Sequence, residues 1–119
     1  MTQQTPDDCL FCKIVAGEIP SDIVAESEWA IAFRDIQPAA PIHVLVVPRR
    51  HEPTVGALAA ASPEDLTEVF RLAQRVADQE GVADAHRMIV NTGSDAGQTV
   101  FHAHVHVLAG ARFTEGRMV

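Results

Sequence analysis

The sequence predicts an α+β domain with a mainly antiparallel sheet, and three features carry that expectation. An apolar run at 42–47 is stopped by Pro48, as in a central strand buried on both faces. Residues 102–107 alternate histidine with Ala103, Val105 and Val107, the period of two expected of a strand. Between them, Ser62 opens the strongest helical pattern in the chain, so strands precede and follow a helix rather than alternating with helices. With 119 residues, 47% of them apolar and 21% charged, the chain is sized for one domain, 1–119. Residues 1–8 are expected to form a flexible amino terminus and 113–119 a carboxy-terminal tail.

The elements follow in order. Residues 10–16 read as a short helix closed by Gly17, with Cys9 and Cys12 on one face. Residues 23–25 and 29–33 read as two strands joined by a turn at 26–28. In the second, Trp29, Ile31 and Phe33 alternate with Ala30, Ala32 and Arg34, so it is expected to be half-buried, with Asp35 at its end. Pro38 and Pro41 bound a loop before the 42–47 strand, which contains His43. Ser62, Pro63, Glu64 and Asp65 supply an N-cap, a first-turn proline and first-turn acids. Leu66, Val69, Phe70, Ala73, Val76 and Ala77 then recur at helical spacing, and Gly81 ends the helix. A fourth strand is expected at 87–90, a turn-rich loop at 91–98 and a fifth strand at 100–108. The pattern contains no internal repeat.

Nine basic residues against sixteen acidic ones give a formal charge of −7, which argues against a nucleic-acid binder with a basic face. The amino terminus lacks the charged and apolar regions of a signal peptide, and no apolar run approaches the ~20 residues of a membrane span. A cytoplasmic protein with no membrane partner is expected. Cys9 and Cys12 are too few for a disulfide framework, and a CxxC in a reducing compartment reads as a metal site or a redox pair.

His102, His104 and His106 are the most informative residues. On a strand they line one face while Ala103, Val105 and Val107 line the other, against the helix after Ser62. Three adjacent imidazoles cannot all be charged cheaply at neutral pH, so a counter-anion such as phosphate is expected over them. Gly93 and Gly97, with Ser94 and Ala96, let backbone N–H groups approach such an anion, and Gln98 and Thr99 add side-chain donors. This is not a Walker loop, because it lacks GxxxxGK[ST] and leads into a strand. All three histidines are too nearly collinear to hold one tetrahedral ion, although two could.

With these residues in view, the sequence resembles the histidine triad (HIT) family, whose signature is His-φ-His-φ-His-φ-φ with φ apolar; residues 102–108 match throughout. Segments 33–36, 43–48, 91–100 and 107–110 are similar to the Hint branch in type, order and spacing, and the likeness spans residues 9 to about 112. Uridylyltransferase relatives carry glutamine in place of the third histidine, so His106 favours a hydrolase.

The resemblance implies a HIT fold with one long and one short helix and a homodimer whose two five-stranded sheets run on as one. It implies a hydrolase that cleaves purine nucleoside 5′-phosphoramidates or related AMP and GMP derivatives through a nucleotidyl-histidine intermediate. A diadenosine polyphosphate hydrolase and a non-catalytic nucleotide-binding regulator are the alternatives. By the same resemblance His104 is the nucleophile, His102 and His106 act around the phosphate, and His43 hydrogen-bonds among them. Asp35 holds the ribose hydroxyls, while Asn91, Gly97, Gln98 and Thr99 contact the phosphate and leaving group. Phe11, Ile14, Ile19, Phe33 and Ile36 fall where the purine pocket is built. Cys9, Cys12, His51 and His102 match the positions of a structural zinc in several bacterial relatives; zinc there would move proton delivery from His102 to His106, His43 or Thr99. Residues 112–119 lack the terminal tryptophan of the animal Hint pattern.

Overall fold

The computed structural model describes residues 7–115 and contains five strands in one antiparallel sheet with spatial order β1-β2-β3-β5-β4. Most of the expected amino terminus and the end of the expected tail therefore lie outside the described residues. The short helix α1 spans Leu10–Val15; the strands β1, β2 and β3 span Ile23–Glu26, Ala30–Arg34 and Ile42–Pro48. Helices α2, Val55–Ala61, and α3, Pro63–Gln79, come next, followed by β4, His86–Ile89, and β5, Val105–Ala109.

The strand β3 is central because it carries no charged side chain and is buried along nearly its whole length. It pairs with β2 on one side and β5 on the other, with Phe33 opposite Leu45 and Leu45 opposite His106. That register sets two faces. Ala30, Ala32, Val44, Val46, Val105 and Val107 pack against Val69, Leu72 and Val76 of α3. Ile31, Phe33, Leu45 and Val47 face the other way, against Cys9, Phe11 and Ile14 of the amino-terminal segment.

Four expectations need correction. The second strand is buried on both faces, since Ala30 and Ala32 lie under α3; Trp29 falls before the strand and is exposed. Residues 55–61 form α2, which the sequence reading left without an element; Thr54 caps it through its side-chain oxygen, and Leu58 anchors it. On α3, Leu72 occupies the buried face, whereas Phe70 is partly exposed. The last strand begins at Val105, not at residue 100. The β3 partner of its first residue is Val46, and Pro48 two residues on has no N–H with which to extend a ladder. Upstream, the Ala103 N–H donates to the Glu52 carbonyl instead.

Candidate functional site

A cavity of about 330 Å³ opens on the sheet face opposite α3. Its apolar walls come from Phe11 and Ile14 of α1, Ile19, Phe33 of β2 and Leu45 of β3. Asp35, Thr99, His104 and His106 bring polar groups to it. Ile36, expected in a purine pocket, stands at the rim and is 93% exposed. Leu45 was not anticipated, although its place between Phe33 and His106 follows from the register. The sequence reading also missed Leu10, Pro20, Ser21, Arg34 and Val100 in the walls.

The imidazoles are distinguished by what each ring nitrogen touches. His104 Nδ1 lies 2.7 Å from the His102 carbonyl, and a carbonyl can only accept, so Nδ1 carries the hydrogen and Nε2 keeps its lone pair. The ring is buried, edge-on to Phe11 and to His106. At His43, Nδ1 accepts from the Ala39 N–H at 3.0 Å, so its hydrogen is on Nε2. That Nε2 lies 2.9 Å from His106 Nδ1, which must accept, leaving His106 with an Nε2–H donor. The cavity therefore presents a nucleophilic nitrogen on His104 beside a donor on His106.

Burial lowers the pKa of each of these rings. His106 is pushed down to about 4 by burial, then by the His104 and His43 charges, with Asp35 opposing. His43 and His104 are also lowered by burial, against the raising influence of Asp35 and, at His104, of the bond to the His102 backbone. All three are neutral at pH 7. Asp35 takes the Gln37 N–H on Oδ1 at 2.8 Å and holds Oδ2 3.5 Å from His43 Nε2.

His102 was expected with the catalytic histidines, exposed to the same cleft. The structure corrects this, because the ring is wholly buried and turned away from the cavity. Its Nε2–H donates to the Pro48 carbonyl at 2.8 Å, and its Nδ1 lies 3.4 Å from the sulfurs of both Cys9 and Cys12 and 3.2 Å from His51 Nδ1. Burial pushes its pKa down to about 4. Cys12 Sγ is 3.2 Å from His51 Nδ1, and the four ligand atoms lie within 4.8 Å of one another. Tetrahedral zinc bonds of ~2.0–2.3 Å require N–N and N–S edges of about 3.3–3.6 Å, so this Cys₂His₂ cluster could hold a metal ion. Burial, reinforced by the hydrogen bond and charge of Cys9, pushes the Cys12 thiol up to about 12, so its sulfur keeps its proton until a cation replaces it. His86, the remaining histidine, directs Nδ1 to the Val82 carbonyl at 2.8 Å, away from both groups.

The glycine-rich loop also differs from expectation. Gly93 and Gly97 have φ of 88° and 92°, a conformation suited to glycine. However, the N–H groups of residues 93, 96, 97 and 98 are bonded inside the loop, to Gln98 Oε1 and to the Gly93 and Ser94 carbonyls. These four do not form a free anion cradle. The buried Gln98 side chain is committed likewise, with Nε2 donating to the Pro53 and Val100 carbonyls. It holds the loop in place rather than reaching a ligand. Asn91 and Gly97 sit side by side in this loop, outside the cavity walls.

The family described as the HIT domain matches residues 16–113. The purine nucleoside phosphoramidase of Escherichia coli (strain K12) is 43% identical over 105 residues, covering 87% of this chain and 88% of that protein. An uncharacterized HIT-like protein of Synechocystis is 42% identical over 111 residues, covering 91% and 95%. Among solved structures, a HIT family hydrolase from Clostridium thermocellum superposes with a TM-score of 0.90 at 40% identity, covering 97% of this chain and 100% of that one. A histidine triad protein from Clostridium difficile gives 0.84 at 37%, covering 97% and 98%. The antiparallel five-stranded sheet, the histidines on its cavity face and these matches together show that the chain belongs to the HIT family.

Proposed function

We propose that this chain is a nucleotide hydrolase that cleaves purine nucleoside 5′-phosphoramidates through His104. The observation that carries this reading is the division of ring nitrogens, with a lone pair on His104 Nε2 beside a donor on His106 Nε2. In the proposed reaction, Nε2 of His104 attacks the α-phosphorus and the bond from phosphorus to the amide nitrogen breaks. Ammonia leaves with a proton drawn from solvent, and the nucleotide remains on His104. Water then attacks the same phosphorus, the bond to Nε2 breaks, a proton returns to solvent and the nucleoside monophosphate is released. The His106 donor stabilises negative charge on the phosphoryl oxygens in both steps, and His43 holds that donor in place.

In this reading Asp35 accepts from the ribose hydroxyls, and Thr99 and Asn91 reach the phosphate and leaving group. The purine lies between Phe11, Ile14, Ile19 and Phe33. The 43% identical phosphoramidase supports the substrate class. The Cys₂His₂ cluster is proposed to hold zinc, whose borderline-soft character suits two thiolates and two imidazoles. When bound, the ion supplies a structural cross-link with no open position for substrate. The outer edge of β4 is proposed to pair with a second copy, giving a homodimer with a continuous sheet. Among the described residues no helix is long and apolar enough to cross a membrane. A cytoplasmic setting is proposed from the sequence.

The test is turnover of adenosine 5′-phosphoramidate by the wild type and His104→Ala, with diadenosine tetraphosphate in parallel. Release of AMP by the wild type alone is the expected result. Cleavage of diadenosine tetraphosphate alone would move the assignment to that substrate class. AMP binding without cleavage of either would make the protein a nucleotide-binding regulator.

A further inference from the structure

Among the described residues, the buried side-chain oxygen or nitrogen without a hydrogen-bond partner is Ser21 Oγ, and Ser21 lies in the cavity wall. It belongs to the segment leading into β1, next to Asp22, whose carbonyl accepts from the Arg34 N–H. The order β1-β2-β3-β5 then puts three interstrand steps of ~4.8 Å, about 14 Å in all, between the β1 edge and His106. Of the other polar wall groups, Thr99, His104 and His106 suit a phosphate, while Asp35, which suits a ribose, stands across from Ser21 in the β1–β2 register that pairs Ile23 with Phe33 and the Asp22 carbonyl with the Arg34 N–H, so a base on a ribose held at Asp35 is carried next to Ser21. Arg34, also in the wall near β1, is already engaged, its guanidinium paired with Glu80 at 3.0 Å and 3.6 Å from Asp22.

We propose that Ser21 is a specificity residue of this cavity, its hydroxyl hydrogen-bonding the edge of a purine base whose phosphate lies at His104. The inference rests on the nucleotide reading given above and deepens it. Rotation about χ1, between staggered wells of similar energy, turns Oγ from its buried position towards the cavity. A hydroxyl both donates and accepts, so it serves 6-amino and 6-oxo purines alike. A pyrimidine anchored by the same phosphate is one ring shorter and leaves the hydroxyl unmet.

The test is calorimetric binding of AMP, GMP, UMP and ribose 5-phosphate to the full chain and to Ser21→Ala, with thermal melts of both proteins without ligand. Loss of the bond is expected to weaken AMP and GMP by about five- to tenfold while UMP and ribose 5-phosphate change by less than about twofold. The unliganded variant is expected to melt no lower than the wild type, because the substitution removes a buried hydroxyl that had no partner. Unchanged AMP and GMP affinity, or an equal loss for all four ligands, would overturn the assignment of Ser21 while leaving the nucleotide reading intact. If the wild type bound neither purine nucleotide, that reading and this inference would fall together.

Discussion

At the scale of single residues, the His43 and His106 pair fixes which ring nitrogen of His106 carries the hydrogen. His106 offers Nε2–H only because His43 donates to its Nδ1, and His43 is fixed in turn by the Ala39 N–H. Replacing His43 with Ala frees His106 to exchange tautomers, so kcat is expected to fall about 10- to 100-fold with KM little changed. Steady-state kinetics on adenosine 5′-phosphoramidate check this, and a loss confined to KM would contradict it. The pH dependence follows from burial. Because His43, His104 and His106 all have folded pKa values below 6.5, the rings stay neutral as pH falls past that point. The plateau of kcat/KM is therefore expected to extend below pH 6.5, and a half-point at or above 6.5 would refute it. The stability effect has the same origin with a definite sign. Between pH 6.5 and about 4 the unfolded chain takes up a proton at residue 106 that the folded chain refuses, so stability falls as pH falls. Urea midpoints across that interval measure it.

Much of this site was legible in the sequence, because period-two histidines specify a face whatever the exact strand limits. The division of labour among them was not. Alternation placed His102 with His104 and His106, but the chain leaves the ladder before Val105 and Pro48 offers its carbonyl to His102. Gln98 was misread for a related reason. An amide donor in a glycine-rich loop looks available in one dimension, and only the fold brings it to the Pro53 and Val100 carbonyls.

At the scale of elements, α1 depends on its surroundings. Six residues are far too few to be helical alone, so the element persists through the Cys9 cap, the burial of Phe11 and Ile14, and the sulfurs held near His51 and His102. Chelation of the proposed zinc, or Cys12→Ser, is expected to lower Tm by several degrees and to speed amide exchange over residues 10–15 before α3 is affected. Metal content measured on the same samples should fall from about one ion per chain to near zero. Uniform exchange changes across both helices would contradict a local role. The helix α3 announces itself in sequence, because Ser62, Pro63, Glu64 and Asp65 all signal its start. The missed α2 has a threonine cap but few apolar anchors, and Leu58 is its buried residue. A short helix of small residues carries little periodic signal, whatever its stability in place.

At the scale of the whole molecule, one sheet separates two apolar environments that share the strands but serve different ends. Alternate residues of β2, β3 and β5 pack under α3, and those between them build the cavity wall or the cluster behind it. Substitutions on the two faces should therefore separate stability from binding. Leu72→Ala removes a buried side chain on the α3 side and is expected to cost roughly 2–4 kcal/mol while leaving nucleotide affinity nearly unchanged in the folded fraction. Phe33→Ala costs a similar amount, since its ring packs edge-on against Phe11, 5.4 Å between centroids. It should also weaken AMP binding about tenfold or more, because the same ring lines the cavity. Denaturant melts paired with AMP titrations of both variants decide the matter. Equal losses of affinity would mean that strain crosses the sheet and that its two faces are not independent. Loss at Phe33 alone would show that the alternation visible in the sequence also divides what stabilises the fold from what binds the ligand.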